Sequence, residues 1–150
     1  MLTVGDKVPS FSLKQTDGKV VKAEDWKGQR VVFYFYSADD TPGCTQEACS
    51  LRDAYDLFRS KGVQVYGISP DSVQSHQNFS EKFSLPFPLL ADPDHEVAEA
   101  FGVWVEKNIY GKKDMGIART TFLIDESGVI IEVVKKVDTE NHAKQLMKFL

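Results

Sequence analysis

The sequence predicts an α/β fold, a central mixed β-sheet flanked by helices on both faces with an N-terminal β-hairpin. Three observations predict it. The run Val31-Val32-Phe33-Tyr34-Phe35-Tyr36 is continuously apolar and rich in β-formers, the mark of a central strand buried on both faces. Segments of helical period alternate with further apolar runs, which implies right-handed crossovers onto one sheet. Two late apolar runs, 120–125 and 129–134, are joined by Glu126-Ser127-Gly128, a hairpin signal that makes the sheet mixed.

The elements follow in order. Phe11-Ser12-Leu13 and Lys19-Val20-Val21 flank Thr16-Asp17-Gly18 and read as the small hairpin. Asp25-Trp26 is a helical turn ending near Gly28. After the 31–36 strand, Cys44, Ala48, Leu51, Tyr55 and Phe58 recur at helical spacing and form the inner stripe of one helix over about 43–60. Lys61-Gly62 closes it, with glycine suited to the left-handed position after a helix. A strand spans 63–69. Asp71 or Ser72 caps a helix running to about Phe83. Phe87-Pro88-Leu89-Leu90 is a short strand, and Asp92-Pro93-Asp94 opens a helix through Phe101, closed by Gly102. A last helix runs from His142 to Leu150, with Leu146, Phe149 and Leu150 on its inner side. The order is that of a thioredoxin-like fold with extra pieces at the N-terminus and in mid-chain.

With 150 residues, no repeat and no linker, the chain reads as a single domain over 1–150, large enough to bury a core. A net charge of −4 and the lack of a basic stripe argue against nucleic acid. Lys112-Lys113 and Lys135-Lys136 read as solvated faces. No apolar stretch approaches the roughly 20 residues that cross a bilayer. The N-terminus shows neither a secretory pattern nor an Arg-rich transit pattern, so a cytoplasmic location is expected. In a reducing compartment, a cysteine pair is more often catalytic or metal-binding than a permanent staple.

The two cysteines are Cys44 and Cys49, and Thr41-Pro42-Gly43 delivers Cys44 from strand to helix start. A helix N-terminus offers unpaired N–H groups and the positive end of the backbone dipole. A thiol there loses its proton readily, and the thiolate is the reactive form. The bland alternative is a small buried apolar residue on the inner stripe. Cys49 lies about 140° around the helix from Cys44 and about 7.5 Å along it. A disulfide needs Cα atoms within about 7 Å and converging Cβ vectors, which an intact helix does not supply. Either Cys49 is idle, or the first turns unwind so that it reaches Cys44; a redox role favours unwinding. Cys49 shares its side with Arg52, Asp53 and Asp56, read as an exposed face. A zinc site is poorly supported, since His76, His95 and His142 lack ligand spacing and read as surface residues. A disulfide reductase would carry two residues between its cysteines, and this chain has four.

The segment from Phe33 through Ser37, Thr41-Pro42-Gly43-Cys44-Thr45-Gln46-Glu47-Ala48-Cys49 resembles the active-site segment of the peroxiredoxins, most of all the Q subfamily, the bacterioferritin comigratory proteins. The resemblance continues through Val65-Tyr66-Gly67-Ile68-Ser69-Pro70-Asp71, Leu85-Pro86-Phe87-Pro88, Tyr110-Gly111-Lys112 and Gly116-Ile117-Ala118-Arg119-Thr120-Thr121-Phe122. It covers nearly the whole chain.

The resemblance implies a thiol-dependent peroxidase acting on hydrogen peroxide and organic hydroperoxides, with no dissociable cofactor and no metal. Cys44 matches the peroxidatic cysteine, Thr41 the hydroxyl that bonds the peroxide, and Arg119 the guanidinium that holds thiolate and substrate. Cys49 matches the resolving cysteine of members that carry it in the same helix, and an intramolecular Cys44–Cys49 disulfide would be reduced by thioredoxin, or by a glutaredoxin. Arg119 as a strand-edge ion pair and Thr41 as a turn or capping residue are the simpler alternatives. Glu47 either supports Arg119 or sits on the helix surface. An intrasubunit resolving thiol makes a monomer the expected state. One departure stands out: the family motif has proline where this chain has Ser37, which predicts a looser, wetter pocket. A peroxide sensor or a thiol-disulfide relay is the alternative function.

Overall fold

A computed structural model describes residues 1–150, the side chain of Ile109 excepted. Strands β1 (Ser12–Gln15) and β2 (Val20–Lys22) form the hairpin, and a 3-10 turn covers Ala23–Trp26. Then come β3 (Arg30–Phe35), α1 (Pro42–Asp53), α2 (Tyr55–Ser60), β4 (Val63–Ser69), α3 (Val73–Phe83), β5 (Leu89–Ala91) and α4 (Glu96–Phe101). The chain ends with β6 (Trp104–Ile109), β7 (Lys112–Ile117), β8 (Thr120–Ile124), β9 (Ile130–Val134) and α5 (His142–Met147).

Seven strands make one mixed sheet in the order β2-β1-β5-β4-β3-β8-β9. β3 runs parallel to β4, and β4 to β5, as their helical crossovers require; β8 is antiparallel to β3. The hairpin joins through β1, antiparallel to β5. Successive residues of β3 alternate between two cores. Val31, Phe33 and Phe35 face one that contains Trp26, Phe101 and Phe122. Val32, Tyr34 and then Tyr36 face the other, with Cys44, Leu51, Phe58, Phe79 and Leu146. Helices α1, α2, α3 and α5 thus cover one face, and α4 covers the other.

Ser72 caps α3, its Oγ accepting from the Ser75 N–H at 3.1 Å. Asp71 does not cap; it accepts from the Asp39 N–H and from Ser69 Oγ. Gly62 and Gly102 take the left-handed conformation expected of them. Gly67 is required on other grounds: a Cβ there would come within 2.7 Å of Tyr34 and 2.8 Å of Leu89.

Four expectations are corrected. The helix expected over 43–60 is two helices, because bonding at Ala54 tightens to i−3: Ala54 N–H to Leu51 O, Leu57 N–H to Ala54 O. The strand expected from Phe87 begins at Leu89, beyond Pro86 and Pro88, which lack ladder donors. Phe149 lies past the end of α5 and is largely exposed, so only Leu146 of the expected trio is fully buried. Strands β6 and β7 form a separate two-stranded sheet over a stretch where no strand was expected.

Candidate active site

Tyr36 ends the run out of β3, its N–H bonded to Ile68 O at 3.0 Å. The chain then leaves the sheet through Ser37–Thr41, with Asp40 in the left-handed region at φ 58°. Thr41 occupies the N-cap position of α1, and Pro42 follows at N1, where a missing N–H costs nothing. Cys44 therefore sits in the first turn, as its sequence context implied. The Thr41 side chain does not cap the helix; its hydroxyl donates to Ala38 O at 3.0 Å. Its lone pairs remain open to a further donor.

Two groups meet the sulfur. Arg119 Nη2 lies 3.3 Å from Cys44 Sγ, and Ser37 Oγ lies 3.5 Å away. Arg119 stands directly before β8, beside β3 in the sheet, and its guanidinium crosses Gly43, where a Cβ would sit 3.3 Å from Nη2. Burial pushes the Cys44 thiol up. The Ser37 hydroxyl, the Ala38 backbone and the Arg119 charge act against burial, and the thiol is brought down to about 7. Ser37 does not leave the sulfur open: Cys44 is 0% exposed, so the wetter pocket expected from the missing proline is not seen at the sulfur.

Behind Arg119 lies Glu47, likewise 0% exposed and not on the helix surface. Its Oε1 accepts from Arg119 Nη1 at 2.7 Å, so one guanidinium nitrogen is fixed by the carboxyl while the other meets the sulfur. Burial dominates the carboxyl, which is held up at about 7 despite the Arg119 charge. Its second oxygen faces His142 Nε2 at 3.4 Å. His142 comes from α5, which docks on α1 through Ala143 N–H to Ser50 Oγ at 3.1 Å.

Cys49 is half-buried in the same unbroken helix as Cys44, and both are free thiols. Two of the three histidines are not at the surface. His76 and His142 are fully buried, each fastened by hydrogen bonds, and only His95 is partly exposed. Residue spacing gave no signal for His142, which reaches this site from ninety-eight positions beyond Cys44.

A first-turn thiol held beside a guanidinium on a thioredoxin-like sheet defines a thiol-redox protein. The chain belongs to the AhpC/TSA family, whose model matches residues 4–133, and within it to the Q-type (Bcp) peroxiredoxins, which are peroxidases. It is 50% identical over 146 residues to a Coxiella burnetii protein named putative peroxiredoxin bcp, covering 97% of both chains. It is 47% identical to peroxiredoxin Bcp of Escherichia coli K12, over 99% of this chain and 96% of that one. A solved structure of a Xylella fastidiosa PrxQ cysteine mutant superposes with a TM-score of 0.93 at 32% identity, covering 99% and 94% of the two chains. The Xanthomonas campestris bacterioferritin comigratory protein, described for its alkyl peroxide reduction activity, gives 0.87 at 37% identity over 92% and 88%.

Proposed function

We propose that Cys44 is the peroxidatic cysteine of this peroxidase, with Arg119 and Thr41 as its partners and Cys49 as the resolving thiol. The observation that carries this reading is Arg119 Nη2 at 3.3 Å from the sulfur, with the thiol brought down to about 7. At neutral pH a large share of the sulfur is then thiolate, the nucleophilic form.

The thiolate attacks one oxygen of a hydroperoxide. The O–O bond breaks, the sulfur becomes a sulfenic acid, and the departing alkoxide or hydroxide takes a proton. Arg119 and the N-terminal backbone of α1 face the charge that develops on the departing oxygen, where fixed donors act most strongly. Thr41, donating to Ala38 O, accepts from the hydroperoxide O–H and so orients it. Because the sulfur is fully buried, entry requires the Ser37–Arg119 rim to part.

Cys49 then attacks the sulfenic sulfur, water leaves, and an intramolecular disulfide forms. This step needs α1 to unwind at its start. That start is weakly held: its N-cap makes no side-chain bond, its first turn carries no acidic residue, and Gly43 costs about 1 kcal/mol relative to alanine. A dithiol protein, thioredoxin or glutaredoxin, reduces the disulfide. The resolving thiol lies in the same chain, so a monomer is sufficient, and a reducing cytoplasm is the fitting location. Among the described residues, no helix is long and apolar enough to cross a membrane.

The test couples peroxide consumption to thioredoxin, its reductase and NADPH. Turnover that disappears in Cys44→Ser supports the reading, and turnover unchanged by that substitution would falsify it. Peroxide consumed once per protein with no reductant-driven turnover would favour a sensor or relay instead.

A further inference from the structure

Among the described residues, one cation touches two groups able to become anions. Arg119 touches Cys44 Sγ at 3.3 Å and Glu47 Oε1 at 2.7 Å. All three lie at a site where Cys44 and Glu47 are fully buried. One guanidinium compensates one anion; a second would have no cation in contact with it away from water.

The surroundings of Glu47 say which form its second oxygen takes. Oε2 is buried and has no hydrogen-bond partner among the described residues. Its neighbour is His142 Nε2, 3.4 Å away. His142 Nδ1 lies 2.9 Å from Gln145 Oε1, an oxygen that only accepts, so Nδ1 carries the ring hydrogen. Nε2 of the neutral ring is then a bare acceptor, met by the Thr121 hydroxyl at 2.7 Å. Burial lowers the proton affinity of His142, which keeps the ring neutral. An ionised Oε2 would set its charge against the Nε2 lone pair with no donor to receive it; protonation removes that charge.

We infer that Glu47 is a proton-holding positioning residue: Cys44 and Glu47 share a single proton across Arg119, so that sulfenic acid forms on Cys44 with no net exchange of protons with water. The inference rests on Cys44 being the oxidised sulfur.

The balance is as follows. With thiolate and protonated carboxyl, the sulfur attacks ROOH, giving Cys44–SOH and RO⁻. The RO⁻ takes up one proton to become ROH. The sulfenic acid is neutral, so Arg119 is now free to compensate Glu47, and the carboxyl releases one proton. With the proton instead on sulfur and Glu47 ionised, the proton first passes from sulfur to the carboxylate and the same step follows. Both routes exchange no proton overall.

Both groups come to about 7, Cys44 brought down against its burial and Glu47 raised by its own, and the thiolate charge is one of the causes that raise Glu47. Groups this close titrate as a coupled pair. The other ionisable groups facing the set are Tyr34 of β3 toward Glu47, Lys107 of β6 toward Arg119 and Cys44, and Asp138 toward His142. Among the described residues, none of these three bonds the carboxyl.

The decisive measurement is proton stoichiometry. A Cys49→Ser background stops the reaction at sulfenic acid, and a pH indicator in weak buffer near pH 7 follows one equivalent of hydrogen peroxide. The expected uptake is close to zero per sulfur oxidised, rising to one in Cys49→Ser/Glu47→Gln, where the carboxamide has no proton to release. One proton in both proteins, or none in both, overturns the inference. Intact mass reports one added oxygen on Cys44; its absence removes the peroxidatic reading itself, and this inference with it. A second measurement does not depend on the Glu47 variant folding. Carbon-13 titration of the Glu47 carboxyl should shift down by about one unit or more in Cys44→Ser relative to the reduced parent. An unmoved carboxyl overturns the sharing.

Discussion

Asp39 Oδ2 lies 2.8 Å from His76 Nδ1, and this contact ties the segment leading into α1 to helix α3. His76 Nε2 donates to Leu90 O at 2.9 Å, which turns Nδ1 toward Asp39. Asp39 also accepts from Tyr36 Oη and Ser75 Oγ. Although burial pushes the Asp39 carboxyl up, bonds from His76, Tyr36 and Ser75 hold it below the ordinary carboxylate value.

His76→Ala should destabilise the fold by about 3 kcal/mol, since it leaves a half-buried carboxylate without its main partner. Urea unfolding at neutral pH measures this. The sign of the pH dependence is fixed. A carboxyl lowered on folding contributes above its unfolded value of about 4 and loses that contribution as pH falls through its folded value. The parent protein should therefore lose more stability than His76→Ala on acidification below about pH 4.

Arg119→Ala should slow peroxide reduction about 100- to 1000-fold, because it removes a charged donor facing the reacting atoms. It should also move the midpoint of iodoacetamide labelling of Cys44 upward from about 7. A slower peroxidase with an unmoved labelling midpoint would separate substrate binding from thiolate stabilisation. In the parent, activity should rise with pH through the same midpoint, because the lowered thiol gains its reactive charge there.

Ser37→Ala removes the hydroxyl 3.5 Å from the sulfur. The labelling midpoint should rise by about 0.5 to 1 unit, the size of one neutral hydrogen bond. Ser37→Pro, which restores the residue of the Q-type motif, should raise it similarly, since proline has no donor to offer.

Gly67→Ala should destabilise by about 1–3 kcal/mol, the usual cost of an overpacked core. The added Cβ would meet Tyr34 and Leu89 well inside contact distance, and thermal unfolding reports the loss. The cysteines are not involved, so thiol labelling should stay as in the parent.

Much of this architecture was legible because its signals are local. The 31–36 run has no polar interruption, and it became β3, buried on both faces. Thr41-Pro42-Gly43 announces a helix start, and Cys44 is in its first turn. The β6–β7 ribbon was not legible. Strand β7 is largely solvent-facing, so the alternation of a half-buried strand is weak there, and Tyr110-Gly111 forms the two-residue turn with both φ positive, unusual for tyrosine. The surroundings of the sulfur divide the same way. Arg119 was readable from its motif, whereas His142 was not. Its burial depends on α5 folding back across α1, and no spacing rule links positions so far apart.

The interruption at Ala54 bears on how a redox cycle is tolerated. α2 holds its own place on the sheet through Phe58 and ends in its own left-handed glycine. Remodelling of 42–53 therefore has a natural stopping point one residue before α2 begins. If Cys49 resolves Cys44 as proposed, α2 stays in place as the template on which 42–53 rebuilds its share of the core in each turnover.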